Sequence, residues 1–370
     1  ITGNGRCNLT NSAKLQDFLK QFSDRGRFIK PVFCQFFNKD LIALINNLGV
    51  KTKIERGGMI FPKSDSSKEV LDNLLHWAKK CGVMITEKTS VKKLLVKDGK
   101  ITGVKDTSGK KHRADAVILA IGGASYPGTG SSGDGYSIAR QAGHTIKNIH
   151  PALVPVETEG STAKELQGLT LKNVSANIYI AGKKEAEQFG EMIFTHYGVS
   201  GPIILTLSRL LVSSIKSGKE TVISIDLNPA LDNKQLDNRL LREFDANGKK
   251  QIKTTLQSLL PKKMIPVCLA GTGIPPDKKG HQINSEDRKK LRMWLKDFRL
   301  KVTGYRPIED AIITAGGVST SEINPHDMSS RIVKNLFFAG EVIDIDANTG
   351  GYNLQAAFST GWAAGKSAAK

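Results

Sequence analysis

The most constraining feature of this 370-residue sequence is its C-terminal block, residues 335–365. An apolar run ends at Gly340 and Glu341, and an acidic turn, the pair Gly350 and Gly351, and a stretch of small residues with helical spacing follow. An apolar run that ends in glycine is typical of a strand covered on both faces. Paired glycines allow close backbone approach, and the next helix presents N–H groups with positive partial charge. The block predicts a strand–turn–helix unit that binds an anionic ligand, with an ordinary connection as the alternative.

A second apolar run, residues 114–123, also predicts a buried parallel strand, so we expect an α/β domain made of two sequence-distant pieces. Alternation in residues 173–180 and 220–227 predicts antiparallel strands, and residues 232–300 have a helical period. Ser285 is the expected N-cap of the last helix in that stretch. We predict five segments: residues 1–152 and 327–370 form the α/β domain, 153–230 and 303–326 form a β-rich insert, and 231–302 form a helical insert.

The charge of the chain is strongly positive, with 54 Lys and Arg against 35 Asp and Glu. This balance favours an anionic partner such as a dinucleotide, an acidic substrate or nucleic acid. Residues 229–306 contain 18 of the basic residues and only 8 acidic ones. A solvated helical surface explains this concentration, and a nucleic-acid docking surface is the alternative.

Composition also bounds the location and the chemistry. The apolar runs are far shorter than the ~20 residues of a membrane span, so we expect no membrane association. Four scattered cysteines form no CxxC pair and no cluster at metal spacing. We therefore expect reduced thiols in a cytoplasmic protein and no metal site. The oligomeric state is left open.

The opening residues 2–11 combine glycines with hydrogen-bonding side chains. Gly3 and Gly5 permit a tight loop, and Arg6 offers a fork of donors to a phosphate or a carbonyl group. A surface turn is the alternative. A redox role for Cys7 is disfavoured because no partner cysteine lies near it in the sequence.

Residues 128–133 match the dinucleotide-binding pattern G-x-G-x-x-G literally. A dinucleotide fingerprint should follow its strand immediately and meet an acidic residue about 20 residues later. Here Ser125, Tyr126 and Pro127 intervene after the strand, and position 153 is Leu. We therefore interpret residues 120–133 as a ligand-lining segment and not as a separate nicotinamide-nucleotide site.

Together with residues 2–11, 194–202, 314–318 and 322–324, the C-terminal block resembles the aminoacetone oxidase-like, BaiN-like family of two-dinucleotide-binding-domain flavoproteins. The resemblance implies a Rossmann-like FAD-binding domain with an inserted β-barrel domain and a small helical domain. The FAD-binding residues that it implies are Thr2, Gly3, Gly5, Arg6, Cys7, Asn8, Asn11, Val91, Ile121, Gly122, Gly123, Gly340, Glu341, Gly350, Gly351, Tyr352, Asn353 and Leu354.

The resemblance also implies a G-x-G-x-x-G strand–turn–helix segment before Thr2, by roughly 40 residues, somewhat more than one βαβ unit. We expect that this chain lacks the segment, that its FAD-binding domain is N-terminally incomplete, and that FAD binding is impaired without it.

The resemblance implies an FAD-dependent oxidoreductase that moves a hydride between flavin N5 and a small organic substrate of the amine or enone type. NAD(P)H is a candidate electron donor. His196 is a candidate proton acceptor and Tyr352 a candidate cover for the flavin, and structural roles are the alternatives for both. A flavoprotein that acts on RNA through its basic helical insert is the second hypothesis, and a non-catalytic nucleotide-binding protein is the third.

Overall fold

The computed structural model describes residues 5–370, apart from the side chain of Ser23. The chain divides into two compact units, the first of Ile1–Ala152 and Pro307–Lys370 and the second of Leu153–Arg306. The predicted site residues Thr2 and Gly3 lie outside the described residues.

The described residues form sixteen strands and twelve α-helices. The strands are β1 (Thr10–Asn11), β2 (Thr52–Ile54), β3 (Met59–Pro62), β4 (Val91–Lys97), β5 (Lys100–Asp106), β6 (Lys111–Arg113), β7 (Val117–Leu119), β8 (Ile146–Ala152), β9 (Val156–Thr158), β10 (Thr170–Ile180), β11 (Lys183–Phe194), β12 (Gly198–Ser200), β13 (Thr221–Asp226), β14 (Phe298–Tyr305), β15 (Ile313–Val318) and β16 (Leu336–Phe338). The helices are α1 (Leu15–Leu19), α2 (Gly26–Phe33), α3 (Asn38–Asn47), α4 (Ser67–Lys80), α5 (Asp134–Gln141), α6 (Thr162–Glu165), α7 (Pro202–Lys216), α8 (Asn233–Ala246), α9 (Ile252–Thr255), α10 (Met264–Thr272), α11 (Ser285–Lys296) and α12 (Tyr352–Ala368).

The first unit is an α/β unit assembled from both ends of the chain. β7 and β16 pair in parallel, with Leu336 opposite Val117, so the two predicted apolar runs meet as one sheet. Three antiparallel sheets accompany this pair, in the strand orders β1-β3-β2, β4-β5-β6 and β15-β8. α12 packs its small residues Ala356, Ala363 and Ala364 into the same apolar cluster as β16. The two-piece α/β prediction is confirmed.

The second unit is a closed six-stranded barrel, in the order β10-β11-β12-β9-β14-β13, that carries a helical insert. Alternation along the strands places Ala176 and Ile178 of β10 opposite Ile225 and Ile223 of β13, and all four are fully buried. The helices α8, α10 and α11 add their apolar faces to the same core. The predicted β-barrel with helices is confirmed.

Two predicted boundaries are corrected by the strand pairing. Residues 298–302, predicted as helical insert, belong to β14 and pair with β13 in the barrel. Of residues 303–326, predicted to finish the β-rich insert, 303–306 do belong to the second unit, where β14 ends at Tyr305. Residues 307–326 instead belong to the first unit and contain β15, which pairs with β8. Every residue of β15 is buried. The strand therefore lacks the alternation of buried and exposed residues that a half-exposed barrel strand has, as in the preceding strand β14.

The N-cap of α11 is also corrected. Asn284 caps the helix, because its Oδ1 accepts a hydrogen bond from Asp287 N (2.9 Å) and its own N–H donates to Asp287 Oδ2 (3.1 Å). Ser285, the predicted cap, is the first helical residue. Asparagine and serine cap equally well, so the sequence could not rank the two neighbours.

Over residues 5–370, no helix has both the length and the apolarity that crossing a membrane requires.

Candidate functional site

The predicted strand–turn–helix forms at the C-terminal end of the chain, and its glycine pair is a steric requirement. Gly351 immediately precedes α12 with a φ of 93°, and a Cβ there would lie 2.3 Å from the carbonyl oxygen of Thr10. Only glycine fits such a backbone. No side chain caps the first turn of α12. The N–H groups of that turn therefore remain available to a ligand.

The segment after Gly5 packs onto this glycine pair. Asn11 Nδ2 donates hydrogen bonds to the carbonyl oxygens of Gly350 (3.1 Å) and Gly57 (3.0 Å). Asn8, with its amide oriented so that both ends are satisfied, accepts from Gly351 N at 3.0 Å. The structure thus joins two predicted regions whose contacting residues are 339 and 343 positions apart in the sequence. We call Asn8, Asn11, Gly350 and Gly351 the glycine-turn cluster.

A second cluster forms around a buried carboxyl group. Glu341 Oε1 accepts hydrogen bonds from Thr314 N (2.7 Å) and Ser125 Oγ (3.2 Å). Thr314 Oγ1 in turn accepts from Ala124 N (2.8 Å) and Ser125 N (3.1 Å). A Cβ on Gly123 would lie 2.4 Å from both Glu341 Oε1 and Thr314 Oγ1. We call Gly123, Ser125, Thr314 and Glu341 the Glu341 cluster.

Burial raises the pKa of Glu341, against the opposing effect of the hydrogen bonds from Thr314 and Ser125. The carboxyl group of Glu341 links the loop after β7 to the start of β15. Its raised pKa shifts its protonation equilibrium toward the neutral form. A neutral carboxyl group can donate as well as accept a hydrogen bond.

The guanidinium group of Arg6 is paired with carboxylates of the protein. Its Nη2 contacts Glu55 Oε1 (2.5 Å) and Asp65 Oδ1 (2.6 Å), and its guanidinium lies 4.2 Å from the ring centroid of Phe61. The hydrogen bonds that Arg6 donates to Glu55 and Asp65 raise the pKa of Arg6. Two carboxylates thus compensate its charge within the protein, which weakens the interpretation of Arg6 as a phosphate ligand.

Three other glycines of the predicted site, and Cys7, adopt left-handed backbone conformations. Gly5 (φ 86°), Gly122 (φ 75°) and Gly340 (φ 73°) all adopt this region, and so does the buried Cys7 (φ 64°). Gly340 N donates to Thr360 Oγ1 at 2.9 Å, which ties the end of β16 to α12. These positions are consistent with close-approaching loops.

The other predicted binding residues are dispersed in the first unit. Asn353 exchanges two hydrogen bonds with the backbone of Ala347, at 2.8 and 2.9 Å, and so shapes the acidic turn. Leu354 packs against the core cluster around Leu9. Val91 opens β4 opposite Asp106, and the Ile121 side chain is 42% exposed. Asn353 and Leu354 adjoin the glycine-turn cluster in the sequence, whereas Val91 makes no hydrogen bond to either cluster within the described part of the chain.

The two candidate catalytic residues lie in different units. In the first unit, the ring of Tyr352 packs edge-on against Phe18 with centroids 4.7 Å apart, and burial followed by the charge of Asp17 raises its pKa. In the second unit, the exposed His196 lies between β11 and β12 with its ring 4.8 Å from that of Tyr197. The predicted roles of both residues remain predictions.

The literal G-x-G-x-x-G at residues 128–133 does not have the geometry of a dinucleotide fingerprint. β7 ends at Leu119, and a short 3-10 helix of Pro127–Thr129 intervenes before α5. Gly133 precedes α5 with a φ of 83°, and its N–H donates to Gly123 O at 3.1 Å. The motif thus supports the loop of the Glu341 cluster.

Sequence reasoning missed three polar residues that organise these clusters. Thr314 was noted only as the start of a family block, and Ser125 only as an intervening residue. Gln355 was given no role, although its Oε1 accepts a 2.6 Å hydrogen bond from the buried Thr10 Oγ1. The hydrogen bonds that define these roles span 27 to 345 positions, so no local pattern could pair the residues.

Within residues 5–370, no group of three or more His, Cys, Asp or Glu side chains could hold a metal ion. The four cysteines are free thiols, of which Cys7 and Cys268 are buried.

Comparisons with known proteins cover the whole chain. Residues 1–367 match the family described as HI0933-like protein Rossmann domain. A 3-dehydro-bile acid delta(4,6)-reductase from Clostridium scindens is 33% identical over 371 residues, which is 100% of this chain and 89% of that protein. A ribosomal RNA dihydrouridine synthase from Escherichia coli is 32% identical over 364 residues, which is 98% of this chain and 86% of that protein. Among solved structures, a quinol-fumarate reductase with menaquinol molecules aligns at 17% identity with a TM-score of 0.49, over 99% of this chain and 63% of its own.

Proposed function

This chain belongs to the HI0933-like family of FAD-dependent Rossmann-domain oxidoreductases, and on that premise we propose that it reduces a carbon–carbon double bond conjugated to a carbonyl group. The observation that carries the proposal is the uncapped start of α12 behind Gly350 and Gly351. This is the feature of the first unit that suits the anionic end of a reduced flavin ring.

The residues of the first unit fit FAD. Gly351 brings the backbone of α12 against Thr10 at a distance that any Cβ would prevent, and the first-turn N–H groups of Tyr352, Asn353 and Leu354 follow it. These groups would hold the flavin, while the Glu341 cluster would fix the loop after β7 beside it. Bound FAD supplies hydride transfer through N5 of its ring, and the protein supplies orientation and electrostatics.

The chain must also provide a proton. Reduction of a conjugated double bond adds a hydride to the β-carbon and a proton to the α-carbon, and the carbonyl group holds the charge that develops between the two events. His196 is our candidate proton donor because it is exposed and because histidine is the commonest general acid in enzymes. Tyr352, with its pKa raised by burial, keeps its hydroxyl proton and is our candidate for closing over the ring.

A small-molecule enone is the first candidate substrate. Support comes from the bile acid reductase, which is similar over the full length of this chain and whose name specifies a delta(4,6)-reductase. We propose NAD(P)H as the electron donor, and the cytoplasm, where its free thiols would stay reduced, as the location. The amine oxidation that the resemblance also implies remains a competing outcome of the test.

Uridine within RNA is the second candidate, and two observations favour it. The E. coli relative of nearly equal identity is named a ribosomal RNA dihydrouridine synthase, and this chain carries a strongly basic helical insert. Uracil also contains a double bond conjugated to a carbonyl group, so the two candidates share one reaction type and differ in how the substrate is held.

The test is an anaerobic half-reaction of the FAD-loaded full-length gene product. The bound flavin is first reduced with NADH, NADPH or dithionite, and then mixed separately with a 3-keto-4-ene steroid and with a uridine-containing RNA. We expect the oxidised flavin absorbance to return with one of these substrates, together with a product that has gained two hydrogen atoms by mass spectrometry. Bleaching of the oxidised flavin by primary amines, with no reaction of either acceptor, would reject the proposal.

Two variants separate the proposed roles. His196→Gln should slow reoxidation by substrate at least about tenfold without changing reduction by the donor, since general acid catalysis contributes roughly 10²–10⁴-fold. Tyr197→Phe is the neighbouring control and should leave both half-reactions within about twofold. Equal rates for His196→Gln and the unchanged protein would assign His196 a structural role.

A further inference from the structure

Helix α8 of the helical insert, residues 232–297, divides its charged side chains between two faces. On one side, Asp237 lies 3.6 Å from Arg288 Nε and 3.7 Å from Arg292 Nη1 of α11. Leu236 and Leu240 occupy the neighbouring buried positions. The carboxylate of Asp237 therefore faces α11 and forms ion pairs there.

The opposite face of α8 lines an open groove of about 650 Å³. Its lining residues are Leu231, Gln235, Asn238, Arg239, Leu241 and Arg242. Positions three, four and seven apart on a helix lie on one stripe, so the two guanidinium groups and the two amides share the groove.

The two arginines of the groove have no carboxylate partner within residues 5–370. Arg242 Nε makes only a long 3.4 Å hydrogen bond to the carbonyl oxygen of Asn238. Of the other acidic groups at α8, Asp232 caps the helix and Glu243 accepts a hydrogen bond from Ser258 at 2.8 Å. The exposed Asp245 follows three residues after Arg242 and forms no ion pair with it. The groove therefore presents two permanent positive charges that are not ion-paired.

The surroundings of the groove reinforce this charge. The helical insert contains 15 Lys and Arg against 8 Asp and Glu. Several exposed lysines of the insert have no carboxylate partner in the described part of the chain, among them Lys249, Lys250, Lys253, Lys289 and Lys290. A focused positive field of this kind attracts a polyanion at long range.

We propose that the α8 groove is a docking surface for the phosphate backbone of a folded RNA, an inference that takes its partner class from the second candidate function. The planar forks of Arg239 and Arg242 match phosphate oxygens. The Gln235 and Asn238 amides can bond ribose 2′-hydroxyl groups, and Leu231 and the 40%-exposed Leu241 provide apolar contact for ribose.

The aromatic residues of the insert favour recognition of shape over recognition of single bases. Phe244 is 2% exposed, and Trp294 packs against Phe298 with ring centroids 4.9 Å apart. Neither ring is free to stack on a splayed base, which single-strand readers require. Binding should therefore depend on phosphate geometry and salt and only weakly on sequence.

The experiment compares Arg239→Gln/Arg242→Gln with Lys110→Gln/Lys111→Gln, a matched pair that removes the same charge from the first unit. The probe is a fluorescein-labelled RNA hairpin, followed by anisotropy over a range of NaCl concentrations. The groove variant should bind about tenfold more weakly, and the slope of log K against log salt should become shallower by about 1.4–1.8, as expected for two lost phosphate contacts. The control variant should differ from the unchanged protein by less than about twofold.

Three results would overturn the docking proposal. These are no RNA binding by the unchanged FAD-loaded protein, equal weakening by the control variant, and displacement by polyglutamate as effective as displacement by unlabelled RNA. The last result would identify an acidic polypeptide as the partner. A DNA hairpin that binds as tightly as the RNA hairpin would reject the role of the 2′-hydroxyl groups and with it the RNA assignment.

The experiment can reject the docking surface without rejecting the proposed reaction, and the reverse. Flavin content and turnover of the small-molecule enone should be unchanged in the groove variant, since its residues lie outside the glycine-turn and Glu341 clusters. RNA binding through the groove with a flavin inert toward every acceptor would reject the reaction and keep the docking surface. Enone turnover without RNA binding would do the reverse.

Discussion

The two units of this chain are stabilised by different kinds of contact. In the second unit one continuous apolar core runs from the barrel into the helical insert, with Phe194, Leu211 and Leu240 almost completely buried. In the first unit the apolar residues form two separate clusters, and buried polar pairs such as Thr10 with Gln355 join segments from opposite ends of the chain.

The difference shows where evolution can place a cofactor. Apolar burial is non-directional and tolerates many residue combinations. A buried hydrogen bond needs a particular partner at a particular angle, and leaving it unmade costs more than forming it gains. The predicted flavin site lies in the unit that depends on such individual contacts, so single substitutions there should affect function before they affect the fold.

Removal of a large side chain from the barrel core should have the largest effect on stability. Phe194→Ala should lower the free energy of unfolding by about 3–5 kcal/mol, because it loses buried apolar surface and leaves a cavity. Phe189→Ala, on the same strand β11 but 52% exposed, should cost less than about 1 kcal/mol. Urea unfolding followed by circular dichroism measures both. A cost for Phe194→Ala close to that of Phe189→Ala would show that the second unit does not depend on its apolar core.

Substitution of Gly351, the glycine before α12, should have the second-largest effect on stability. Gly351→Ala should cost about 2–3 kcal/mol, because its φ of 93° disfavours a side chain and the new Cβ would meet Thr10 O. FAD affinity should also fall at least about tenfold. Gly361→Ala, inside the same helix and with open space around its Cβ, should instead stabilise the protein by about 0.5–1 kcal/mol. Thermal unfolding with a flavin titration tests the pair, and a stabilising Gly351→Ala would contradict the close approach.

Loss of one hydroxyl acceptor in the Glu341 cluster should have a moderate effect. Thr314→Val keeps the shape but leaves Ala124 N and Ser125 N without their acceptor, which should cost about 1–2 kcal/mol. Thr314→Ser keeps the hydroxyl group and should restore most of the loss. The free energy of unfolding of the three proteins decides this point. Identical values for Val and Ser would mean that the hydroxyl group contributes nothing and that the first unit is less polar in its stabilisation than we conclude.

The smallest expected effect is the pH dependence contributed by a buried histidine of the first unit. His144 Nε2 lies 2.9 Å from Ser330 Oγ, and Nδ1 lies 3.2 Å from Glu322 Oε2. Ser330 Oγ already accepts from Ile332 N and Val333 N, so its proton points to His144. Burial lowers the pKa of His144 against the attraction of Glu322.

The sign of the effect follows from this lowered pKa. The unfolded chain takes up a proton near pH 6.5, whereas the folded protein resists it. Stability is therefore complete above about pH 6.5 and falls as the pH decreases through the folded-state pKa. His144→Gln should lose less stability between pH 7 and pH 5 than the unchanged protein does. The control is His76→Gln, on the exposed face of α4, which should behave like the unchanged protein. Urea unfolding at the two pH values measures this, and a larger acid loss in His144→Gln would refute the sign.

The second unit was largely predictable from local patterns. Alternation identified β10 and β13, and three- and four-residue spacings identified α8 and α11. Prediction failed at β15, where a completely buried strand carries no alternation and the sequence cannot tell which unit covers it. The same limit applied to Asn284, whose capping role depends on backbone geometry that its neighbour Ser285 could equally have adopted.

The candidate site was predictable only in its backbone features. Gly350 and Gly351 stood out because glycine pairs before a helix are a local signal, and the structure shows the close approach that they permit. Arg6 was predicted to face a ligand, yet Glu55 and Asp65 hold it. Residue type indicates that a side chain can bind an anionic ligand. Only the folded chain determines whether a carboxylate of the protein already occupies that side chain, as Glu55 and Asp65 occupy Arg6.

The contact between Thr10 and Gly351 also constrains how the protein is made. A ribosome that has released residue 10 must add more than 300 further residues before the segment that packs against it exists, which takes about 15–70 seconds at ordinary elongation rates. The barrel of Leu153–Arg306 is complete well before that moment. During synthesis the early part of the first unit therefore keeps apolar surface uncovered until residues 307–370 have been made.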